Sequence, residues 1–464
     1  MDTKKDAKKS SHHPEHREIH VGNIPKKLVG MATEGWYIKG DSDSHSRASL
    51  LGYNYTANVI VNLIGGSFFT GLLILINASD SFIGTLTMIA TAANMLQVFA
   101  PLFLERFTKR KKMLIALRAV LLFFNIVVIG IIPALPGGQQ LQWTLMALSV
   151  LVVNLINALI APGYTVWHIQ CIPSDMRSSF FSLVTMTVGA VVALCNLGGS
   201  AIVDAFRASG LEYVGLLVVR GIAVLIAIVD IWLLTRIKEL PYECGEKQSV
   251  KDLLVKPFRG KVYLKTVALT FLWNISANIP GNYYTVYLLK DLGISYSFIM
   301  LCSMLNIPVV ILLTPVWRRV VQKLGWVRSL YTAMALYLLH YVLIAFTTNA
   351  MLWAYPVGLL YAFVMAIGIN LPFAAIPYIN IPKENQTVYI GFYSTIANMA
   401  ALLGVTIGKF FIDLTDGVKI RLFGTEMINK QFILLLTASM MLLAVVGIWR
   451  VEKTMPREEN PHKA

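Results

Sequence analysis

Apolar residues in this chain run on for about twenty positions at a time and then stop at short polar gaps; they do not alternate with polar ones. A helix needs about 20 apolar residues to cross roughly 30 Å of hydrocarbon. By that rule the sequence predicts twelve spans, the first six being residues 55–77, 82–104, 113–133, 143–164, 180–203 and 213–235. The second six are 266–289, 297–316, 329–347, 352–374, 388–412 and 431–449. Continuous runs indicate helices, because the strands of a membrane barrel alternate lipid-facing and inward-facing residues. The expected fold class is therefore an all-α polytopic membrane protein.

Composition agrees. Of 464 residues, 56% are hydrophobic and 14% charged, against about a quarter charged in a soluble domain. The net charge of +15 does not point to nucleic acid, because the bases lie in gaps between apolar runs without a readout motif. Of the 40 lysines and arginines, 32 fall in the two tails and in alternate gaps. Bases collect on the cytoplasmic side of a membrane, so both termini are expected there. The remaining bases are Arg207, Lys290, Lys409, Lys419, Arg421 and Lys430 on the other side, with Arg118 and Arg220 inside spans.

The expected organisation is a polar tail (1–50), a six-helix half (51–236), a cytoplasmic linker (237–262), a second half (263–449) and a short tail (450–464). The first fifty residues are hydrophilic and lack the pattern of a cleavable signal peptide. Cys171, Cys195, Cys244 and Cys302 have no ligand spacing, so neither a metal site nor a disulfide framework is expected.

The halves repeat each other. At an offset of 216, Asn58, Asn62 and Gly65 match Asn274, Asn278 and Gly281, and Ser81, Phe82 and Ile83 match Ser297, Phe298 and Ile299. At an offset of 209, "IPSDMRSSFFS" meets "IPKENQTVYIG", and Gly199 and Asp204 meet Gly408 and Asp413. Two such runs in the same order indicate parallel repeats, an arrangement that places a substrate site between halves near the bilayer midplane.

The stretch "PLFLERFTKRKKML" resembles the loop between the second and third helices of the major facilitator superfamily, Gly-x-x-x-Asp-Arg-x-Gly-Arg-Arg/Lys. Pro101 replaces the first glycine, Glu105 the aspartate and Thr108 the second glycine, while Arg106, Lys109 and Arg110 fit. The resemblance covers roughly residues 50–450. It implies two pseudo-symmetric six-helix bundles and a cytoplasmic gating latch at Glu105, Arg106, Lys109 and Arg110, with Glu105 near Thr387 to Tyr389 at the start of the eleventh helix. A carboxylate beside a helix amino terminus gains roughly 0.3–1 kcal/mol. The same bases also serve as a topology signal. In the second half, "PVWRRVVQKLGWVR" puts Arg319 where an acid belongs, so the latch is expected to be one-sided.

The resemblance further implies that helices one, four, seven and ten line the cavity. Asn54, Asn58 and Asn62 form one stripe, and Asn274, Asn278 and Asn282 another, followed by Tyr283 and Tyr284. The fourth span carries Asn154 and Asn157, and the tenth Asn370 beside Pro372. An amide buried without a partner costs several kcal/mol, so these residues stitch helices together or wall a wet pathway. The candidate substrate-binding residues are Asn58, Asn62, Asn154, Asn157, Asn274, Asn278, Tyr283 and Asn370. Pro280-Gly281 and Pro372 are expected to interrupt their helices. Tyr164, Trp167 and His168 read as an interfacial belt, His340 as packed, Arg118 as snorkelling, and Arg220 as meeting Asp204 or a carbonyl.

No acid stands mid-span in helices one, four, seven or ten, whereas proton coupling generally needs a titratable group in the pathway. The expected function is secondary transport of a small, polar, mostly neutral organic solute, sugar- or nucleoside-like, by alternating access. The alternatives are export of amphipathic compounds, drugs or lipids and, more remotely, a membrane enzyme or a transporter-like sensor. The fifth span lacks the Gly-Pro pair of the family's drug/proton antiporters. No cofactor is expected; the partners would be a small-molecule substrate and the lipid bilayer, for a monomer in the plasma membrane.

Overall fold

A computed structural model of the chain describes residues 42–104, 106–107, 109–173, 177–239, 258, 260–375, 386–422 and 425–454. Among these, eleven helices are long and apolar enough to cross a membrane. They coincide with the predicted spans one to six and eight to twelve. The predicted seventh span takes a different form. Helix Lys261–Ala277 stops, a turn follows, and short helical segments Tyr283–Val286 and Tyr287–Asp291 resume. Pro280 lacks the N–H a continuing helix needs, and Gly281 sits at φ +46°, a conformation open to glycine at little cost.

The first helix breaks at the matching place. Ser42–Ile64 gives way to Gly66–Leu75 with Gly66 at φ +49°. Its start lies earlier than expected. Residues 42–50, read as part of the tail, are helical because their polar groups have partners at the end of the sixth helix (Glu212–Arg236). Ser46 is buried and accepts the Lys238 backbone N–H at 2.9 Å, and Asp43 meets Lys238 Nζ at 2.8 Å.

The repeat read in the sequence reappears in the packing. The first helix lies against the fifth (Arg177–Ala208) and sixth; Lys261–Ala277 lies against the eleventh (Gln386–Leu414) and twelfth (Asn429–Thr454). A Cβ on Gly199 would lie 2.9 Å from Leu63, and one on Gly408 only 2.0 Å from the Ile279 carbonyl oxygen. Leu63 and Ile279 are themselves related by the offset of 216. Helices two (Asp80–Met95) and eight (Tyr296–Met304, continuing as Asn306–Leu324) are capped by the equivalent serines Ser79 and Ser295, which accept from Phe82 N and Phe298 N. A hairpin joins helices eleven and twelve, pairing Lys419–Leu422 with Thr425–Ile428.

Two arginines inside spans are held within the first half. Arg220 is buried and donates to the carbonyls of Asn125 (2.7 Å), Ile126 (3.0 Å) and Ile64 (3.3 Å). Asn125 and Ile126 lie in a π-helical bulge, Phe123–Val128, where the helical ladder is opened and carbonyls are freed. The Ile64 carbonyl stands at the break of the first helix. Carbonyls, not Asp204, hold this arginine. Arg118 does not snorkel. Its guanidinium forms a two-point pair with Asp230 at 2.6 and 3.1 Å, Thr56 Oγ1 donates to the same carboxylate at 2.8 Å, and the Tyr53 ring lies 4.8 Å away. Tyr164, Trp167 and His168 are correspondingly no interfacial belt. Tyr164 and Trp167 are buried in the first half's core, where Tyr164 donates to the Leu114 carbonyl and Trp167 to that of Lys238. His168 stacks among the rings of Tyr53, Tyr164 and Trp167. His340 is packed as expected, between Tyr337 and Tyr341.

Candidate functional site

Two ends of the bundle differ in chemistry. One, here the basic end, carries Arg106, Lys109 and Lys112, all exposed, and the start of the third helix (Lys111–Leu122). Lys111 donates its backbone N–H to Glu239 and its ammonium to the carbonyls of Thr235 and Ile237. Arg328, on the ninth helix (Trp326–Ala345), meets Glu452 of the twelfth at 2.7 Å. Each half thus ties its third helix to its sixth. Arg110 is buried and donates to the Phe107 carbonyl. Glu105, on which the latch was read, lies outside the described residues, as does the side chain of Thr387. Tyr389 is buried under Tyr263, which donates to its carbonyl at 2.6 Å.

At the far end, polar contacts join the two halves. Lys430, 5% exposed, places its ammonium 2.9 Å from Asp80 of the other half and 2.9 Å from Asp291 of its own. Lys409 pairs with Asp413 and donates to Ser81 across the halves at 3.1 Å. Asp204 accepts the backbone N–H groups of Tyr296 and Ser297 at 3.0 and 2.7 Å, capping the eighth helix from the fifth. Tyr296 donates to Glu212 at 2.8 Å, and Asn282 to Thr87 at 3.2 Å. Around these bonds one apolar cluster draws on both halves, from Phe68 and Leu72 to Val286, Leu289 and Tyr296. The segments beyond the two helix breaks therefore pack on one another.

The asparagines of helices one and seven lie before the two breaks, save Asn282 just past the second. Asn54, Asn58 and Asn62 each donate the side-chain amide to the carbonyl four residues back, at 2.8, 2.8 and 2.9 Å. Asn154, Asn274 and Asn278 do the same at 2.8, 2.9 and 2.8 Å. Asn58, Asn62, Asn157 and Asn370 are exposed. Tyr283 stands apart from them. It is buried at the far-end contact, where a Cβ on Gly84 would lie 2.0 Å from its hydroxyl. Asn196, on the fifth helix, was not singled out from the sequence; its amide lies 3.5 Å from the Asn62 side-chain oxygen. No repeat or stripe marks it, so only the packing of helices one and five brings it forward.

The Major Facilitator Superfamily family model matches residues 55–405. No curated protein matches the chain. Among solved structures, the chain is similar to the nucleoside transporter NupG (12% identity, 88% of this chain and 99% of that one, TM-score 0.63). It is also similar to a D-xylose-proton symporter (13%, 89% and 98%, TM-score 0.67) and to a bacterial homologue of the iron transporter ferroportin in an inward-facing state (15%, 88% and 98%, TM-score 0.67). At these identities the likeness shows the fold. With the family model spanning most of the chain and its two halves repeating each other, the protein is a membrane transporter of the Major Facilitator Superfamily.

Proposed function

We propose that the chain is a secondary carrier that moves a small polar organic solute by alternating access between its two halves, without catalysis. In this reading it crosses the membrane twelve times, with the interrupted segment 261–291 as the seventh crossing and both termini cytoplasmic. The basic end then faces the cytoplasm and the far end the outside.

The observation that carries the reading is the gathering of contacts between the halves at the far end, through Lys430–Asp80, Asp204–Tyr296 and the tips of the first and seventh helices. In this reading the bundle is closed outside, and its amide-bearing helices are reached from the cytoplasm. Asn58 and Asn62 are exposed on a helix whose other faces are packed, and amide groups facing acyl chains would be costly, which favours a wet pathway beside them. The Glu105 latch has its place in the opposite state, when the basic end closes.

Uptake of labelled sugars, nucleosides and amines into proteoliposomes tests the proposal. Saturable flux of at least one solute is expected. Absence of both flux and ligand-induced thermal stabilisation across the set would contradict it.

A further inference from the structure

Six asparagines of the candidate pathway share one arrangement: Asn54, Asn58, Asn62, Asn154, Asn274 and Asn278 each bond the carbonyl four residues back. A backbone carbonyl only accepts, so the group turned toward it must be the side-chain NH2. Each asparagine therefore spends a donor on its own helix and turns its amide oxygen, with two lone pairs, away from that bond. With one of its two N–H donors spent and both lone pairs of its oxygen kept, each asparagine offers more acceptors than donors. Asn196 shows how such an oxygen is met, by offering N–H to the Asn62 oxygen.

The charges complete the picture. Arg118 is paired with Asp230, Arg220 is held by three carbonyls, Lys409 is paired with Asp413 and Lys430 with two aspartates. Each of these cations already has its counter-charge or its acceptors. An anionic solute would meet carbonyl dipoles with their negative ends forward.

Resting on the carrier reading above, we infer that the solute is rich in hydrogen-bond donors and carries no net negative charge: a polyhydroxylated neutral molecule or one bearing an ammonium group. A site built to bond O–H or N–H groups rejects an analogue lacking them, because its own acceptors are then left unpaired.

Matched quartets on one carbon skeleton provide the test, for example glucose, glucosamine, gluconate and tetra-O-methylglucose, repeated with pentose and nucleoside skeletons. Binding is read by thermal shift of the purified full chain and by flux in proteoliposomes. Within any skeleton that binds, the hydroxylated or ammonium form is expected to bind at least about 10-fold more tightly than the carboxylate and the methylated form. Preference for the ammonium member separates an amine carrier from a polyol carrier. The variants Asn58→Leu and Asn274→Leu are expected to abolish that preference while the melting temperature without solute stays within a few degrees. A carboxylate or methylated member binding as tightly overturns the inference and leaves the carrier reading standing. No binding by any member of any skeleton removes both.

Discussion

Lys430 of the twelfth helix and Asp80 of the second lie 2.9 Å apart across the two halves of the molecule. The lysine is also held by Asp291 at the tip of the seventh helix, and it is buried. One ammonium thus ties three helices at the end where the halves meet. Under the alternating-access reading proposed above, this contact forms in one state and breaks in the other.

Removing the carboxylate on one half is expected to open this end without unfolding the chain, because Lys430 keeps Asp291. With spin labels at Gln139 and Glu426, both exposed near the far end of opposite halves, Asp80→Asn is expected to add a longer population to the distance distribution. An unchanged distribution would deny the pair a state-dependent role.

The buried pair in the first half is structural. Asp230 is fully buried and bonded by Arg118 and Thr56. Breaking a buried pair at one partner costs about 3–5 kcal/mol, since the other charge is left uncompensated, whereas replacing both with apolar groups is often neutral. Asp230→Asn is therefore expected to lower the melting temperature sharply, and Arg118→Met with Asp230→Leu to recover much of the loss. Equal loss in the single and double variants would refute this.

Glycines at the helix crossings can be ranked. A Cβ at Gly408 would meet the Ile279 carbonyl at 2.0 Å, while one at Gly198 meets nothing within 4 Å. Overpacking typically costs about 1–3 kcal/mol. Gly408→Ala is expected to destabilise the protein by that order and Gly198→Ala to be near neutral, as measured by thermal unfolding in detergent. Similar melting temperatures for the two would contradict the close crossing of helices seven and eleven.

Cys171 follows the last turn of the fourth helix, Gly138–Gln170, and donates to the Lys238 carbonyl at 3.4 Å. Burial pushes its thiol up to about 11. The thiolate is the reactive form, so raising the value leaves little of it at neutral pH. In a variant with no other cysteine, maleimide labelling is expected to be slow at pH 7 and to rise steadily up to about pH 11. Fast labelling that levels off near pH 8.5 would show an ordinary exposed thiol.

Much of this architecture was legible because lipid leaves a chain few choices: runs of about twenty apolar residues become helices, and eleven of the expected spans coincide with described helices. The duplicated sequence also marked real equivalences, from Ser79 and Ser295 to Gly199 and Gly408. What was not legible depends on partners distant in sequence. Nothing near Arg118 announces Asp230, 112 positions away, and two of the three carbonyls that take Arg220 are freed by the bulge in the third helix. Lys430 read as an outer-side topology residue, since its two acids lie on other helices. The asparagine stripes were found, but their amide orientation is a property of the folded helix, and Glu105 lies outside the described residues.

The most direct measurement follows both ends of the bundle at once during transport. One labelled pair, Gln139 and Glu426, reports the far end; the other, Lys112 and Lys323, reports the basic end, all four being exposed. Reconstituted in liposomes and titrated with a transported solute or with Asp80→Asn, the far-end distance is expected to lengthen as the basic-end distance shortens. Flux with both distances fixed, or with both lengthening together, would contradict alternating access between the two halves.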